Sequence, residues 1–408
     1  MAEKEVKKLS MKDVIKKINK ACKEWDILSS GNFSQNLKKL SLNTLGFDFP
    51  FKGGLPYDQI ITFSGVEHSG KTTAAAIAMG EYQLENPGKI CVWVDAENTL
   101  LTQSEYLQTI SNIKYDDDCF VRYDCTGRSA EEIFSDLILM QSTDDIGMIV
   151  IDSARALISE ADLDGDFTKD NGQRASIAKS MGKFIKQMMM YLPKRHNILL
   201  IINQVNVEKG MFCTTYTEPC GYALKFFPSV KVRFGTRTYT AGDKTDISQS
   251  KVDDKIDGIR LHFAIVKSRL GAINKDGGFI TIRYESGVDT VFDLLEVALK
   301  ANLISKPTPR SYSLINLITG EMYKDAETQA DLTFGSEADL DKYLRGHNAF
   351  VKEFSKMLAE YLSQTKLRVN LVDEKIIDEL MKQEADTTGD EMTLAEALQA
   401  DGIDPDVE

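Results

Sequence analysis

No CxxC pair occurs in this sequence. Its six cysteines (Cys22, Cys91, Cys119, Cys125, Cys213 and Cys220) are scattered over 408 residues. That spacing argues against a zinc site or a disulfide framework and for reduced thiols in a cytoplasm. No stretch is apolar for long enough to span a membrane. The first twenty residues, MAEKEVKKLSMKDVIKKINK, lack an apolar h-region, so they are not read as a secretory signal. No internal repeat is visible. What the chain does have is 42% apolar and 27% charged residues, the balance of a soluble globular protein. Its length exceeds one ordinary domain, so we expect one large core with smaller pieces at each end.

The net charge of −13 is unevenly spread. Residues 373–408 hold 13 acids and 2 bases, a net of −11, which leaves −2 for the rest. The first twenty residues hold 7 lysines and 3 acids, a net of +4. The chain therefore runs from a basic head through a near-neutral body to an acidic tail. Such a protein still binds DNA if its bases gather at one place.

Residues 3–25 carry Val6, Leu9, Val14, Ile15, Ile18 and Cys22 at helical spacing. This predicts a helix that either caps its own domain or docks on another subunit. From about 55 to 300, β-branched runs alternate with helical patterns. The runs are IITFSG (60–65), KICVWVDAE (89–97), IGMIVIDSA (146–154) and NILLIINQ (197–204), with helices from Lys71, near 129–142 and over 173–191. Continuous apolar strands separated by helices predict a mainly parallel sheet covered on both faces. VKVRFGTRTY (230–239), IRLHFAIVKSR (259–269) and GGFITIRYE (277–285) follow closely and predict hairpins that extend the sheet. Helices over 292–303 and 338–363 flank SYSLINLITGEMYK, a small α/β appendage. The tail from about 382 is rich in acids and is expected to be partly disordered.

Residues 65–72 read GVEHSGKT, directly after QIITFS. GxxxxGKT between a strand and a helix is the P-loop pattern. Its glycines let backbone N–H groups turn inward around phosphates, and the following helix points its positive end at them. The predicted nucleotide site covers Gly65, Val66, Glu67, His68, Ser69, Gly70, Lys71, Thr72 and Thr73. Lys71 supplies a cation to the terminal phosphates and Thr72 a hydroxyl ligand for Mg²⁺. MIVIDS carries Asp152 to the sheet's C-terminal edge, where ligands bind in open α/β sheets. Beside a P-loop, this acid reads as part of the Mg²⁺ shell rather than as a helix cap. WVDAE offers Glu97 as the acid that orients or deprotonates water, with Asp95 on the same side if the strand continues.

Taken in order, these residues resemble the RecA family of ATP-dependent DNA strand-exchange proteins. GGLPYDQIITFSGVEHSGKTT is similar to the family's lead-in to its core, ICVWVDAENTL to its second strand and MIVIDSARAL to its Walker B strand. LLIINQV (199–205) and TEPCGYALKFFPSV (217–230) resemble the flanks of the second DNA-binding loop. AIVKSR (264–269) resembles the segment whose two bases reach a neighbour's ATP. The resemblance covers roughly 40–305 and, more loosely, the C-terminal part. It implies that Glu97 is the general base and that Gln204 senses the γ-phosphate. It further implies that Lys267 and Arg269 act across a subunit interface. Tyr106 is the family's candidate to stack on adenine, at a spacing from Glu97 that departs by a couple of residues.

Two loops are implied to hold single-stranded DNA, at about 159–172 and 205–220. In the second, Lys209 meets phosphate, Phe212 wedges between bases and Gly221 allows close backbone approach. Asn206 and Glu208 stand where basic residues are usual, Cys220 replaces a glycine, and the first loop is acidic. Arg174, Lys179 and Lys183 on the next helix either supply missing charge or form a solvated face. The divergence resembles the phage branch of the family, of the UvsX kind.

The expected architecture is an α/β, RecA-type P-loop NTPase core with a mainly parallel central sheet. An N-terminal helical oligomerisation segment (1–40) precedes the core (41–290). A C-terminal α/β domain (291–381) and an acidic tail (382–408) follow it. The expected activity is DNA-dependent ATP hydrolysis coupled to homologous pairing and strand exchange, with ATP and Mg²⁺ as cofactors. The implied partners are single-stranded DNA, homologous duplex DNA, further copies of the chain in a helical filament, single-strand binding protein and a loader. The expected location is the cytoplasm, with no membrane contact. The rival readings are a RecA-like regulator and a ring helicase, neither of which exchanges strands.

Overall fold

A computed structural model describes residues 37–163, 173–193, 195–209, 214–217, 221–242, 244–248, 255–269, 277–308, 310–325, 328–364 and 371–385. The chain divides into two compact units, Met1–Lys38 and Lys39–Glu408. The helix expected over 3–25, most of the first loop and the end of the tail lie outside the described residues. The elements below belong to the second unit.

A short antiparallel pair, β1 (Lys39–Leu40) and β2 (Leu55–Pro56), comes first. The main sheet then begins with β3 (Gln59–Gly65), β4 (Ile90–Asp95), β5 (Phe120–Asp124), β6 (Ile146–Asp152) and β7 (Ile198–Gln204). A separate hairpin pairs β8 (Asn206–Lys209) with β9 (Thr214–Thr217). The main sheet resumes with β10 (Val230–Phe234), β11 (Thr238–Ala241) and β12 (Lys244–Ile247). It ends with β13 (Gly258–Ser268), β14 (Gly277–Arg283) and β15 (Gly287–Val288). Its order is β12-β11-β13-β10-β3-β7-β6-β4-β5, with β14 on β13 and β15 on β14. Pairing is parallel from β10 to β5 and antiparallel among the later strands.

The strand sequences explain the layers. Successive side chains of a strand face opposite ways, so a continuous apolar run feeds two cores at once. Ile61 and Phe63 of β3 join one core, with Trp93 of β4, Val150 of β6 and Leu200 of β7. Ile60, Val94, Ile151 and Ile201, their alternates, join the other. The first core is closed by helices Lys71–Glu85 and Thr99–Ile110, through Ala74, Ala78, Leu107 and Ile110. The second is closed by helices Ala130–Gln141 and Gln173–Tyr191, where Phe134 stacks on Phe184 at 4.4 Å. Helix Ala130–Gln141 starts at a capping box: Ser129 Oγ accepts from Glu132 N, and Ser129 N donates to the Glu132 carboxylate.

Two sequence expectations change. VKVRFGTRTY is interrupted at residues 235–237. Its first half, β10, lies parallel to β3 and antiparallel to β13, and its second half, β11, pairs antiparallel with β13 further along. The helix expected over 338–363 is two, Glu337–Gly346 and Asn348–Gln364. His347, at φ −130° and ψ 62°, leaves the helical region between them. Near the C-terminus, β16 (Ser305–Thr308), β17 (Ser311–Ser313) and β18 (Thr333–Phe334) form a small sheet. It shares a third core with helices Thr290–Lys300, Glu337–Gly346, Asn348–Gln364 and Glu374–Ala385. The last of these continues past residue 381, into what the sequence reads as tail.

Buried polar groups tie this third core to the sheet. The Arg260 guanidinium lies 4.3 Å from the Phe279 ring centroid and donates to Glu296 at 2.6 Å. Asp293 accepts from Thr44 Oγ1 at 2.5 Å and from Thr281 N at 3.1 Å. Burial pushes its carboxyl up to about 7, against the pull of Arg260. A carboxyl with a folded pKa above its unfolded value favours the fold at low pH, and that contribution is lost as pH rises. The window runs from about 4, the unfolded aspartate value, to about 7. Urea unfolding across this window should show the natural chain losing stability relative to Asp293→Asn as pH rises. Two curves that stay parallel would contradict the burial argument.

Candidate active site

Register brings the site together. In the sheet, Gly65 of β3 stands opposite Gln204 of β7, and Asp95 of β4 opposite Asp152 of β6. All four are the last residues of parallel strands, at the edge where open α/β sheets bind ligands.

From Gly65 the chain turns through Val66, Glu67, His68 and Ser69 into helix Lys71–Glu85. Gly70 stands at φ 87°, a region that costs other residues strain. It also has no room for a side chain, because a Cβ would lie 2.4 Å from Leu261 Cδ2. The helix start has no side-chain cap. Its first amides therefore have no partner within the helix and face outward with the positive end of the helix dipole. Glu67 and His68 are exposed, while Ser69, Lys71 and Thr73 are buried. Lys71 Nζ donates to Val66 O at 2.7 Å, inside the loop.

Thr72 Oγ1 donates to Asp152 Oδ2 at 3.0 Å. Burial pushes the Asp152 carboxyl up to about 7, with the charge of Glu97 adding to the effect. Burial also pulls Lys71 down to about 8, against the attraction of Asp152, Glu97 and Glu67. Two carboxyls crowded beside a desolvated lysine make a place where a divalent cation would relieve the charge. Hydroxyl and carboxylate are the hard oxygen donors that Mg²⁺ takes. The residues present fit the group.

Glu97 is held differently from the sequence expectation. β4 stops at Asp95, so the two acids do not share one face of a continuing strand. Asp95 turns away, accepting from Arg122 Nε at 2.7 Å and Leu100 N at 3.3 Å. Glu97 sits in a turn whose amides, Ala96 N and Glu97 N, both donate to Asp152 O, at 2.9 and 3.2 Å. Its carboxylate accepts from Ser153 Oγ and, at 3.0 Å, from Gln204 Nε2. Gln204 Oε1 in turn accepts from Arg155 Nη1 at 2.9 Å. Ser153 and Arg155 were not singled out from the sequence. They stand one and three residues after Asp152, but their partners are 56 and 49 residues away, beyond any local pattern.

Lys267 and Arg269 lie near the end of β13. Lys267 Nζ donates to Phe226 O at 2.5 Å and Lys225 O at 3.2 Å, and Arg269 Nη2 to Phe226 O at 2.7 Å. These carbonyls end helix Gly221–Phe226, so the two cations cap the helix that closes the second loop. Tyr106 is half-buried in helix Thr99–Ile110. Burial holds its hydroxyl above the ordinary tyrosine range, with Tyr284 adding and Arg237 opposing.

Of the second loop, the structure describes the β8–β9 hairpin, with Lys209 opposite Thr214. Gly221 opens the helix after it. Phe212 lies outside the described residues, and Arg174 is described only as part of helix Gln173–Tyr191. The start of the first loop is anchored: Glu131 accepts from Glu160 N at 2.9 Å and from Ser180 Oγ at 2.6 Å. Burial acts against its ionisation, but those two hydrogen bonds win and hold its carboxyl below the usual range.

A model of the RecA N-terminal domain matches residues 9–289, more than half of the chain. The chain belongs to the RecA family. ATP-dependent recombination by strand exchange is that family's activity. The RecA protein of Colwellia psychrerythraea is 27% identical over 338 residues, covering 82% of this chain and 87% of that one. The RecA protein of Rhodopseudomonas palustris is 29% identical over 282 residues, covering 68% and 74%. A crystal structure of the RadB recombinase aligns with a TM-score of 0.42 at 16% identity, over 60% of this chain and 97% of that one, and carries no weight in the assignment. No helix among the described residues is long and apolar enough to cross a membrane.

The geometry at Gly70 gives a direct expectation. Gly70→Ala should cost about 1–2 kcal/mol for the left-handed backbone alone, more once Leu261 must move. Denaturant unfolding measures it. An unchanged midpoint would mean that the loop relaxes freely.

Proposed function

We propose that the recombination activity of this RecA-family chain runs through DNA-dependent ATP hydrolysis at the β3–β7 edge. The observation that carries this is the convergence of Lys71, Thr72, Asp152, Glu97 and Gln204 just beyond the C-terminal ends of four neighbouring parallel strands. The uncapped start of helix Lys71–Glu85 and Lys71 would hold the phosphates. Thr72 and Asp152 would hold Mg²⁺, which when bound neutralises charge on the phosphates. Glu97 would accept the proton of the attacking water. Gln204 touches Glu97 and leads directly into the second loop, so it would carry news of the γ-phosphate to that loop. Tyr106 is proposed to stack on adenine.

Further copies of the chain would complete the site. Lys267 and Arg269 are proposed to reach a neighbour's nucleotide and stabilise charge on the transferring phosphoryl group. In this chain they cap helix Gly221–Phe226. A neighbour's phosphates would share the two cations with that helix end, which links the filament interface to the second loop. The loops at 159–172 and 205–220, with Lys209, Phe212 and Gly221 in the second and Arg174 beyond the first, would hold single-stranded DNA. The held strand would test a duplex by base pairing. Single-strand binding protein and a loader are proposed partners, and the head and acidic tail are proposed to act at the neighbour and at basic surface. The UvsX-like, phage-encoded origin remains part of this proposal.

The deciding experiment is ATP hydrolysis with and without single-stranded DNA, for the natural chain and Glu97→Gln. DNA should stimulate hydrolysis strongly, and the variant should lose about 10²–10⁴-fold in kcat, the scale of a lost general base, while still binding ATP and assembling on DNA. Hydrolysis indifferent to DNA would sink this reading in favour of a RecA-like regulator. DNA-stimulated hydrolysis with unwinding would favour a ring helicase. Mixing Lys267→Ala with Glu97→Gln adds a second expectation. If the pair acts across an interface, the mixture should regain hydrolysis that neither variant shows alone.

A further inference from the structure

We propose that Arg155 is a positioning residue that fixes the sense of the Gln204 side-chain amide. The inference rests on the reading of Glu97 as the base. Arg155 lies in the single 3₁₀ turn Ala154–Ala156 that follows β6, and its side chain is exposed. Its Nη1 donates to Gln204 Oε1 at 2.9 Å, while Gln204 Nε2 donates to Glu97 Oε1 at 3.0 Å. A guanidinium only donates, and a carboxylate only accepts. An amide between them satisfies both partners in one orientation alone, with oxygen toward Arg155 and nitrogen toward Glu97. The reversed amide would set N–H against N–H and oxygen against carboxylate. A glutamine without Arg155 has no such constraint on its oxygen and can rotate.

The orientation has a chemical consequence. The Gln204 amide nitrogen carries two protons. One is committed to Glu97 and the other is left for a further acceptor, so the amide presents only donors toward the reacting phosphate. Arg155 thereby holds Glu97 and its sensor in one hydrogen-bonded row. The row also bridges the roots of both loops. Arg155 lies four residues before Ser159, where the first loop begins, and Gln204 directly precedes the second. Movement at either root changes the bond that orients the amide.

The test compares Arg155→Ala, Arg155→Lys and Arg155→Glu with the natural chain and Glu97→Gln, in steady-state hydrolysis at saturating single-stranded DNA. Arg155→Ala should lower kcat by about tenfold, the scale of one orienting hydrogen bond to a charged group, with KM for ATP changed by less than about twofold. Arg155→Lys keeps a donor and should recover most of the rate. Arg155→Glu demands the reversed amide and should fall below Arg155→Ala. DNA affinity, by fluorescence titration, should stay within about twofold in Arg155→Ala and Arg155→Lys. A natural rate in Arg155→Ala, equal rates in all three variants, or a rate loss matched by lost DNA affinity would each overturn the inference. Arg155 is exposed, and misfolding would not place Arg155→Lys and Arg155→Glu on opposite sides of Arg155→Ala. If Glu97→Gln keeps the natural rate, the base assignment fails and takes the inference with it. If Glu97→Gln is inactive and the ranking is absent, only the inference falls.

Discussion

Everything at the site depends on the hydrogen-bond register of parallel strands. Gly65 pairs with Gln204, Asp95 with Asp152 and Ile151 with Ile201, so four strands end at one edge, β3 and β7 two residues beyond β4 and β6. A slip of one residue in β6 would turn Asp152 to the other face and exchange the apolar sets of two cores. The same ladder places the turns beyond it. The Asp152 carbonyl holds the amides of Ala96 and Glu97, and the Gly65 carbonyl accepts from Val205 N at 3.1 Å. Asp152, Glu97, the turn from Gly65 to Gly70 and Gln204 are thus positioned by one sheet edge.

Two hydrogen-bonded systems then flank the second loop, one at this edge and one at the end of β13, beside the start of β10. One passes from Glu97 through Gln204 to Arg155. The other passes from β13 through Lys267 and Arg269 to the end of helix Gly221–Phe226. Arg155, Lys267 and Arg269 can only donate, which gives each system a defined direction. They meet the second loop from opposite ends: Gln204 precedes it and Phe226 follows it.

Much of this was legible in the sequence because it is local. GVEHSGKT, MIVIDS and the apolar strands each carry their meaning within ten residues, and the parallel core followed from their alternation with helices. Glu97 lies beside Asp152 and Gln204, but not for the reason its sequence spacing suggests. Its place comes from a turn hung on another strand's carbonyl, not from continuation of β4. Arg155 and the capping role of Lys267 and Arg269 were not legible, since each depends on a partner dozens of residues away. The break between the two helices after Glu337 did have a local signal, Gly346 and Asn348 around His347, which helical periodicity alone overrode. Asp48 and Asp293, buried carboxyls pushed up to about 7, also look like ordinary acids in sequence.

The Glu131 clamp bears on how the family can vary. One carboxylate, at the first turn of helix Ala130–Gln141, ties Glu160 to Ser180 across the segment between them. The geometry of the core is therefore closed off before that segment begins and after it ends. Closing a flexible loop costs only about 0.6 kcal/mol more for each doubling of its length. Insertions, deletions and changes of charge between the anchored ends can then accumulate with little effect on folding. A lineage can rewrite this segment while inheriting the sheet and its edge unchanged.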